Sequence, residues 1–478
     1  MAVYGSFPGV RIETQSGGIA SISIGEAEKI VLFGESNYDG SNNVAGDDAS
    51  LSISAAAPEQ IAGTREADAK FGSDSELANA MKEALANGAN ISFLYGVAVP
   101  RESVTGESIS GTSGATGTLN NVEIVEDTST IALEDSGGSA VDLAVEFRYN
   151  GAPSTDGGCA AGSVPDDTIF INHLTGEYAM TSESVTTTPA TIDYTHNDYS
   201  TAFSSNSVLN VVNEDETGIF VALSDSDSVS SSLNTEVSNM RTNYKLVNAL
   251  SLAEPNDNEL LSSESTRGGA DARYDTANYG SANQSVSSEY FFKFAPGRQQ
   301  DSSATIGGGL AGLFGGNPIS DPIYNEALSG YQGVEQTLSK SEADDLRAED
   351  IIPIRQGGSI RVQGNRSTAF SESDSVAADF WVRRITDRVI LIGKGVGDEI
   401  IGRINDEETR TQARRLIENQ LIQLVDDRLI RSNEADETYW SVEVFEDSTN
   451  PDEVNIDISF TPYGIVKRVD ETIIVDTS

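Results

Sequence analysis

The sequence predicts an α/β fold, and three consecutive segments carry that prediction. Residues Lys29 to Gly34 form a short apolar run suited to a buried strand. The next segment has apolar residues at helical spacing, namely Leu77, Ala80, Met81, Ala84 and Leu85. Ile91 to Val99 is a second apolar run. Together they predict a strand, a helix and a parallel strand joined by a right-handed crossover.

Local signals mark both ends of the predicted helix. Ser73 and Glu76 have the spacing of a capping box, in which each side chain bonds to the backbone N–H of the other residue. Gly88 stands where a glycine commonly ends a helix. We therefore expect the helix to lie between Ser73 and Gly88.

A change in composition interrupts this pattern at residues 101–190. The segment is rich in Ser, Thr, Gly and Asp, with short alternating runs at Val122 to Val125 and Val141 to Tyr149. It contains 14 acidic residues and two basic ones, Arg101 and Arg148, so its net charge is −12. We predict an inserted, acidic, β-rich domain that faces solvent.

The α/β pattern resumes after the insertion. Strands are predicted at Gly218 to Leu223 and Tyr244 to Leu252, with a helix at about Ser228 to Met240 between them. We therefore predict one α/β core, residues 26–100 and 191–370, which is divided in sequence and single in space.

Residues 371–478 are predicted to form a separate α+β unit. Phe380 to Val389 alternates in polarity like a strand, and Asn405 with Glu408 caps a long helix that reaches about Arg431. The apolar face of that helix consists of Ala413, Leu416, Ile417, Leu421, Leu424 and Val425.

Both chain ends have the pattern of extended segments. Strands at about Val454 to Phe460 and Val466 to Val475 are predicted to close the chain. Residues 1–25 are predicted to form an arm, because Pro8 favours extended geometry for the residue before it and Gly17-Gly18 provides a hinge. A strand paired within its own domain fits the composition equally well.

The net charge excludes several classes of partner. Asp and Glu number 75 against 30 Lys and Arg, which gives a formal net charge of −45. Such a surface repels nucleic acid and anionic lipid, so we expect neither as a partner. Only 8 of the 30 basic residues are Lys. This composition is typical of extreme halophiles, where molar salt shortens the Debye length to about 3 Å. An acidic protein from an ordinary cell is the alternative.

Signals for export and membrane insertion are missing. The single cysteine, Cys159, cannot form an intramolecular disulfide, which argues against a stapled secreted scaffold. The first ten residues lack the basic start and apolar core of a signal peptide. The apolar run Ile306 to Gly316 is about half as long as the roughly 20 residues that a bilayer requires. We expect neither a signal peptide nor a membrane span.

Candidates for metal binding are few. The chain has two histidines, His173 and His196, and one cysteine, which nearly excludes a zinc site. Acidic runs such as Ser224 to Asp227 lack the regular ligand spacing of a calcium loop. We therefore expect no metal and no cofactor.

Two motifs have a superficial similarity to functional loops. Gly111-Thr112-Ser113-Gly114 is similar to the nucleophile turn of subtilisin-like proteases, but no histidine lies in the predicted strand–helix–strand unit. Gly307 to Gly312 has the glycines of a dinucleotide loop without a suitably placed apolar strand before it, and indicates close backbone packing. We predict that the chain is not an enzyme.

One stretch departs from the general acidity of the chain. Arg383 to Arg431 holds 10 basic and 9 acidic residues, so its net charge is +1. A face directed at an acidic partner is one interpretation, and a lattice of intrahelical pairs such as Arg414 with Glu418 is the other. The candidate residues of such a partner-facing surface are Arg403, Arg410, Arg414 and Arg415.

Several motifs, in this order, resemble those of contractile tail sheath proteins of phages and related injection machines. They are Phe7-Pro8-Gly9-Val10-Arg11-Ile12-Glu13, Gly333-Val334, Ile351-Ile352-Pro353-Ile354-Arg355, the run Gly358 to Thr368, and Phe380-Trp381-Val382-Arg383-Arg384. The resemblance covers roughly residues 1–35 and 190–478. It departs from the family pattern at Arg11, and at Gln363, where tryptophan is common.

The resemblance implies a particular domain plan. It implies a subtilisin-like α/β core that lacks a catalytic triad, a variable outer domain, and a carboxyl-terminal α+β domain next to an inner tube. It also implies that both chain ends extend the sheets of neighbouring copies. The strand arms would include Val3, Phe7, Val10 and Ile12 at one end and Thr472, Ile473, Ile474 and Val475 at the other.

The function implied is that of a sheath subunit that polymerises helically around an inner tube and contracts to drive it through a cell envelope. The expected partners are identical copies in stacked rings or a helix, an inner tail tube protein, and baseplate and tail terminator proteins. The particle would be a virion tail, such as that of an archaeal virus ejecting its genome, or a genome-free extracellular device, assembled in the host cytoplasm. The alternative is an acidic surface or adhesive lattice protein of a halophile, which the acidic insertion favours.

Overall fold

The described part of the chain forms two compact units. The computed structural model describes residues 28–38, 44–48, 51, 53–125, 127–148, 165–173, 175–253, 286–299, 305–334, 337–370, 378–435 and 437–464. The core unit comprises Ala27–Asn317 and Ile323–Arg383. Of the described residues, the terminal unit contains Pro318–Pro322 and those from Arg384 onward.

The strands and helices of the described residues are numbered in chain order. The strands are β1 (Lys29–Gly34), β2 (Pro58–Gln60), β3 (Leu94–Ala98), β4 (Arg101–Ser108), β5 (Thr116–Thr118), β6 (Ala132–Glu134), β7 (Ala144–Arg148), β8 (Thr168–Asn172), β9 (Glu177–Met180), β10 (Thr191–Asn197), β11 (Thr217–Ala222), β12 (Leu246–Leu252), β13 (Phe291–Ala295), β14 (Ala327–Leu328), β15 (Ile351–Gln356), β16 (Ile360–Val362), β17 (Trp440–Glu446) and β18 (Val454–Phe460). The helices are α1 (Thr64–Phe71), α2 (Glu76–Ala86), α3 (Tyr199–Ser204), α4 (Asn206–Leu209), α5 (Asp227–Thr242), α6 (Gly307–Gly316), α7 (Lys340–Ala348), α8 (Phe380–Ile400) and α9 (Glu407–Asp426).

A nine-stranded sheet forms the centre of the core unit, in the order β14-β16-β15-β13-β12-β11-β1-β3-β2. The six strands from β15 to β3 are parallel, and the strands at both edges are antiparallel. Strands β1 and β3 pair in parallel and α2 lies between them in sequence, which confirms the predicted strand–helix–strand unit. Central parallel strands are buried on both faces, which explains their continuous apolar runs.

Helices cover both faces of this sheet. Along β1, Ile30 and Leu32 belong to a hydrophobic cluster that contains residues of α1, α2 and α6. Val31 and Phe33 belong to a second cluster, with residues of α3, α4 and α5. Successive side chains of a strand point to opposite faces, so the core unit has three layers.

Glycines allow α6 to pack closely on α2. A Cβ atom at Gly308 would lie 2.1 Å from the carbonyl oxygen of Ala80, and one at Gly312 would lie 2.2 Å from that of Ala84. No side chain fits at either position without moving the two helices apart. The glycine-rich run is a closely packed helix, as expected from the sequence.

The described residues between 101 and 197 form a β-rich region with its own hydrophobic cluster, which includes Ile171 and Tyr194. Strands β4 and β10 pair antiparallel, with Arg101 opposite Asn197. They belong to a three-stranded sheet, β4-β10-β6, and the region also contains the four-stranded sheet β5-β9-β8-β7. The chain leaves the large sheet after β3, enters this region through β4, and leaves it through β10 before it rejoins the large sheet at β11.

The terminal unit contains α8 from Arg384 onward, α9 and the antiparallel hairpin β17–β18. Helix α9 packs against β17. A Cβ atom at Gly393 of α8 would lie 3.4 Å from Cδ1 of Ile458 in β18, so α8 meets the same hairpin. The buried residues of α9 belong to its predicted apolar face, namely Ala413, Ile417, Leu421 and Leu424.

One predicted strand is a helix. The segment Phe380 to Val389 is the first half of α8. Its buried residues continue along the helix at intervals of three or four, at Trp381, Ile385, Val389, Ile392 and Val396. This spacing is the helical period, and residues 380–389 read Phe-Trp-Val-Arg-Arg-Ile-Thr-Asp-Arg-Val, which does not alternate in polarity, so the strand prediction is wrong.

The predicted limits of α9 are also corrected. Its cap is Asp406 rather than Asn405, because the Asp406 carboxylate accepts the N–H of the third helical residue at 2.8 Å. The helix ends at Asp426 rather than near Arg431, because Arg428 adopts a φ of 60° that no helix continues through. Its 20 residues span about 30 Å.

The cap of α2 differs from the prediction as well. Ser75 caps the helix and its hydroxyl accepts the N–H of Ala78 at 3.1 Å. Ser73 lies in a turn closed by the N–H of Ser75 on the carbonyl of Gly72, at 3.1 Å. The predicted capping box is therefore wrong.

Other expectations are met in part or fall outside the described residues. Val122 to Val125 makes only an isolated bridge, between Ile124 and His196, instead of a strand. The predicted strand Val454 to Phe460 is β18, whereas its partner β17 was not predicted. The predicted arm and the predicted strand Val466 to Val475 lie outside the described residues.

Candidate functional site

A cluster of charged side chains lies where the central parallel strands end. Glu35 directly follows β1, Asp225 follows β11 and Arg298 follows β13. The carboxyl ends of parallel strands share one edge of a sheet, and ligands of α/β proteins commonly bind there. This edge is therefore the position at which a binding or catalytic site is expected.

The geometry of the cluster is that of a buried ion pair with surplus acids. Arg298 donates from Nε and Nη2 to the two carboxylate oxygens of Asp225, both at 3.0 Å, and both residues are buried. Glu76, at the start of α2, interacts electrostatically with both Arg298 and Asp225. Burial raises the pKa of the Glu76 carboxyl to about 8. The negative charges of Glu35 and Asp225 also raise this pKa, whereas the positive charge of Arg298 lowers it.

Glu123 brings a further acid into the cluster from the β-rich region. It is buried, its backbone has a left-handed φ of 57°, and its carboxylate accepts the hydroxyl of Ser224. The N–H of Asn197 also donates to the Glu123 carbonyl at 2.9 Å. Burial raises the pKa of the Glu123 carboxyl well above its ordinary value. Glu123 thus fastens the β-rich region to the edge of the large sheet.

Within the described ranges, no group of three or more His, Cys, Asp or Glu side chains is arranged to hold a metal ion. His196 Nε2 lies 3.6 Å from Glu102 Oε2, on the β4–β10 ribbon. Ser113 is exposed in the loop between β4 and β5. The arrangement is that of a structural junction whose charge depends on pH.

A depression of about 490 Å³ in the core unit contains two arginines, and both interact with neighbouring residues. Arg383 in its wall pairs with Glu289 at 3.3 Å. Arg241 donates to the Val247 carbonyl at 2.9 Å and stacks on the ring of Tyr290 at 5.1 Å. Both cations are engaged by their own chain.

The hairpin β17–β18 has a different character, because its edges are open within the part of the chain that is described. Its strands pair with each other over seven positions, from Trp440↔Phe460 to Glu446↔Val454. Neither pairs with any other described strand. An open edge presents unpaired N–H and C=O groups that accept a further strand.

The outward face of the hairpin is acidic. Glu443 and Asp457 are exposed and lie directly opposite each other in the register. Phe445 is on the same face, two residues along β17, and its side chain is 41% exposed. Like charges in directly opposed positions destabilise a hairpin that stands alone.

The four candidate arginines fall into two groups. Arg403 pairs with Glu399 at 3.5 Å, and Arg410 donates to Asn405 at 2.6 Å and to Glu446 at 3.2 Å. Arg414 makes the predicted intrahelical pair with Glu418, at 2.8 Å. Arg415 is exposed and forms no ion pair with any described residue. The last two lie next to each other on the outer side of α9.

The other candidate residues, Val3, Phe7, Val10, Ile12, Thr472, Ile473, Ile474 and Val475, lie outside the described residues. Sequence reasoning missed the buried acids and the acidic hairpin face. The available signal for the acids was position, because Glu35 and Asp225 each follow an apolar strand. The signal for the face was the alternation of Glu443 with the apolar residues of β17.

No helix among the described residues is both long and apolar enough to cross a bilayer. The apolar run Ile306 to Gly316 corresponds to α6 and its N-cap residue.

Comparison with known proteins identifies the fold. No family model and no curated protein matches the sequence. The chain is similar to a chain in the cryo-EM structure of the anti-feeding prophage (AFP) baseplate, with a TM-score of 0.56, 13% identity and 99% coverage of both chains. It is also similar to the AFP helical sheath in the contracted state, with a TM-score of 0.55, 14% identity and 99% coverage of both. The contracted PVC sheath complex of an extracellular contractile injection system gives a TM-score of 0.53 at 13% identity, over 100% of this chain and 99% of that one. The chain shares its fold with these proteins along its whole length.

Proposed function

We propose that the chain is the structural subunit of a contractile sheath that polymerises helically around an inner tube. The observation that carries the proposal is the shared fold with the contracted AFP sheath, over 99% of both chains. A common fold alone does not define a function, because one fold serves many. The surfaces of the terminal unit supply the second line of support.

The open hairpin supports assembly by strand addition. A two-stranded sheet is marginally stable in isolation, and β17–β18 gains stability if further strands cover its edges. We infer that the arms containing Val3 to Ile12 and Thr472 to Val475 supply such strands to neighbouring copies. Each added backbone hydrogen bond contributes about 1 kcal/mol net.

Contraction needs no nucleotide in this proposal. Subunits assemble in an extended, metastable lattice and then move into a shorter one with better packing between copies. Small gains per subunit suffice because the same interface repeats along the particle. A baseplate would release one end, a terminator would hold the other, and the moving sheath would drive the tube through an envelope.

Other features fit this proposal. We infer a subtilisin-like core without catalytic function, which the pairing of Arg298 with Asp225 and the location of His196 on the β4–β10 ribbon support. We also infer a halophilic source, which the net charge of −45 and the scarcity of Lys support. Both a virus tail and a genome-free injection device accommodate such a subunit.

Electron microscopy of the purified protein at molar salt tests the proposal. We expect hollow, striated tubes for the full chain. A variant lacking residues 1–20 should remain a folded monomer, with the circular dichroism and unfolding midpoint of the full-length monomer. Flat lattices would favour a surface-layer role, and tubes from the truncated variant would contradict the arm mechanism.

A further inference from the structure

The terminal unit carries two outward surfaces of opposite charge, each with an exposed apolar side chain. The first, the acidic sheet face, consists of Glu443, Phe445 and Asp457 on β17–β18. The second, the arginine helix face, consists of Arg414, Arg415 and Ile422 on α9. Neither surface is explained by the packing of its own chain.

The acidic sheet face combines electrostatic repulsion with an apolar anchor. Glu443 and Asp457 are directly opposed in register, so each raises the free energy of the other. The segment 432–464 contains nine acidic residues and no Lys or Arg, and among the described residues no ion pair involves Glu443 or Asp457. Phe445 stands beside them with 41% of its surface exposed. A cationic surface with an apolar patch complements this face.

The arginine helix face has those properties. The Arg414 side chain is 56% exposed, and its pair with Glu418 is an exposed one that contributes little and is readily exchanged. Arg415 is exposed and forms no ion pair among the described residues. Ile422 follows Arg415 by seven residues, two helical turns along the same side, and is 46% exposed. The surface is thus cationic with an apolar anchor.

We propose that the acidic sheet face of one copy docks on the arginine helix face of the next copy. This inference rests on the proposed sheath function and names a contact within it. Charge complementarity selects a second copy as the occupant, because residues 383–431 have a net charge of +1 in a chain of −45. The two surfaces differ, so the contact is head-to-tail and propagates into a ring or a helix.

The apolar anchors make the contact more than a surface ion pair. Phe445 and Ile422 exclude water from the charges around them, which strengthens the attraction at high salt. The contact is separate from strand addition, because it uses the faces of the hairpin and helix rather than the hairpin edges. Copies would thus be held by two independent sets of interactions.

Charge reversal and its rescue test this contact. We expect Arg414→Glu with Arg415→Glu to raise the critical concentration for tube formation by about tenfold or more, and Glu443→Arg with Asp457→Arg to do the same. A chain carrying all four changes should recover most of the wild-type assembly. A control with the same change in charge, Arg65→Glu with Arg428→Glu, alters exposed residues outside both faces and should assemble like wild type.

Three other outcomes overturn the inference. Wild-type assembly by the Arg414/Arg415 variant would leave the sheath function standing and remove this contact. Loss of assembly in both double variants without rescue in the fourfold variant would assign the faces to other partners, such as the cationic residues of a strand arm. Absence of tubes from the wild-type chain would reject the sheath function itself and this contact with it.

Discussion

The core unit and the terminal unit solve the problem of burying β-structure in different ways. The large sheet of the core unit has helices on both faces, and its central strands are almost fully buried. The sheet of the terminal unit has two strands, helices on one face and two edges that no described strand covers. The core unit has its central sheet enclosed, whereas the terminal unit has two strand edges that no described strand covers.

Exposed apolar residues follow the same division. Among the described residues, the core unit exposes one large apolar side chain, Leu51, and the terminal unit exposes the others, namely Ile390, Ile401, Ile404, Ile422, Phe445 and Tyr463. Contiguous apolar exposure marks interaction sites in soluble proteins. We therefore propose that contacts between copies are concentrated in the smaller unit.

The difference in packing between the two units can be tested with one glycine-to-alanine substitution in a helix of each unit. We expect Gly312→Ala in α6 to destabilise the core unit by about 3 kcal/mol, because its Cβ would lie 2.2 Å from the Ala84 carbonyl oxygen. We expect Gly397→Ala in α8 to stabilise the terminal unit by up to about 1 kcal/mol, because nothing lies within 4 Å of that Cβ and alanine favours helix.

The two tryptophans separate these effects. Trp381 belongs to the core unit and Trp440 to the terminal unit, so a Trp440→Phe background reports the core and a Trp381→Phe background reports the hairpin. Urea unfolding followed by fluorescence gives both stabilities. Equal effects of the two glycine substitutions would show that the core helices are not packed as closely as described.

A second test concerns the buried acids of the core unit. Glu76 has a folded-state pKa of about 8, above its ordinary value near 4.5, so the folded state binds the proton more tightly than the unfolded state. Stability from this group is therefore present below pH 4.5 and is lost as pH rises through 8. As the pH rises from 5.5 to 8, the free energy of unfolding of Glu76→Gln should increase by about 1 to 3 kcal/mol relative to that of wild type.

The matched control is Glu134→Gln, which removes an exposed acid from β6 and leaves the cluster intact. Urea titrations at both pH values, in the same molar salt, measure the difference between each variant and wild type. A Glu76 variant that tracks the control across this range would contradict the burial argument.

The smallest effect is expected from lowering the salt concentration. It should weaken the assembly of copies more than it changes the fold of the single chain. With 45 net negative charges per chain, dilution below roughly 0.3 M salt lengthens the range of repulsion between copies. We expect tubes to loosen while the core unit keeps its circular dichroism spectrum. Particles that stay unchanged in low salt, without divalent cations, would argue against charge as a determinant of the lattice.

The core could be predicted from sequence because buried parallel strands appear as apolar runs. The prediction Gly218 to Leu223 lies within one residue of β11, and α5 matches its predicted helix within two residues at each end. The error at α8 arose because the apolar run Phe380-Trp381-Val382 looks like the start of a strand, whereas the next apolar residues, Ile385 and Val389, follow at helical spacing. Periodicity over a longer window would have separated the two structures.

The candidate site could not be predicted in the same way. Glu35, Glu76, Glu123 and Asp225 come from four separate segments, and only the fold brings them to one edge. The opposed pair Glu443 and Asp457 depends on the register of a hairpin whose first strand was not predicted. Position and alternation single out some of these residues, but no local signal in a single sequence says which of them meet.

Cryo-EM of the assembled tube at side-chain resolution would show whether neighbouring copies complete the terminal sheet. We expect each β17–β18 hairpin to lie within a larger sheet, with strands from two other copies, one containing Val3 to Ile12 and one containing Thr472 to Val475. A hairpin whose edges are bare, or are covered only by strands of its own copy, would contradict this expectation.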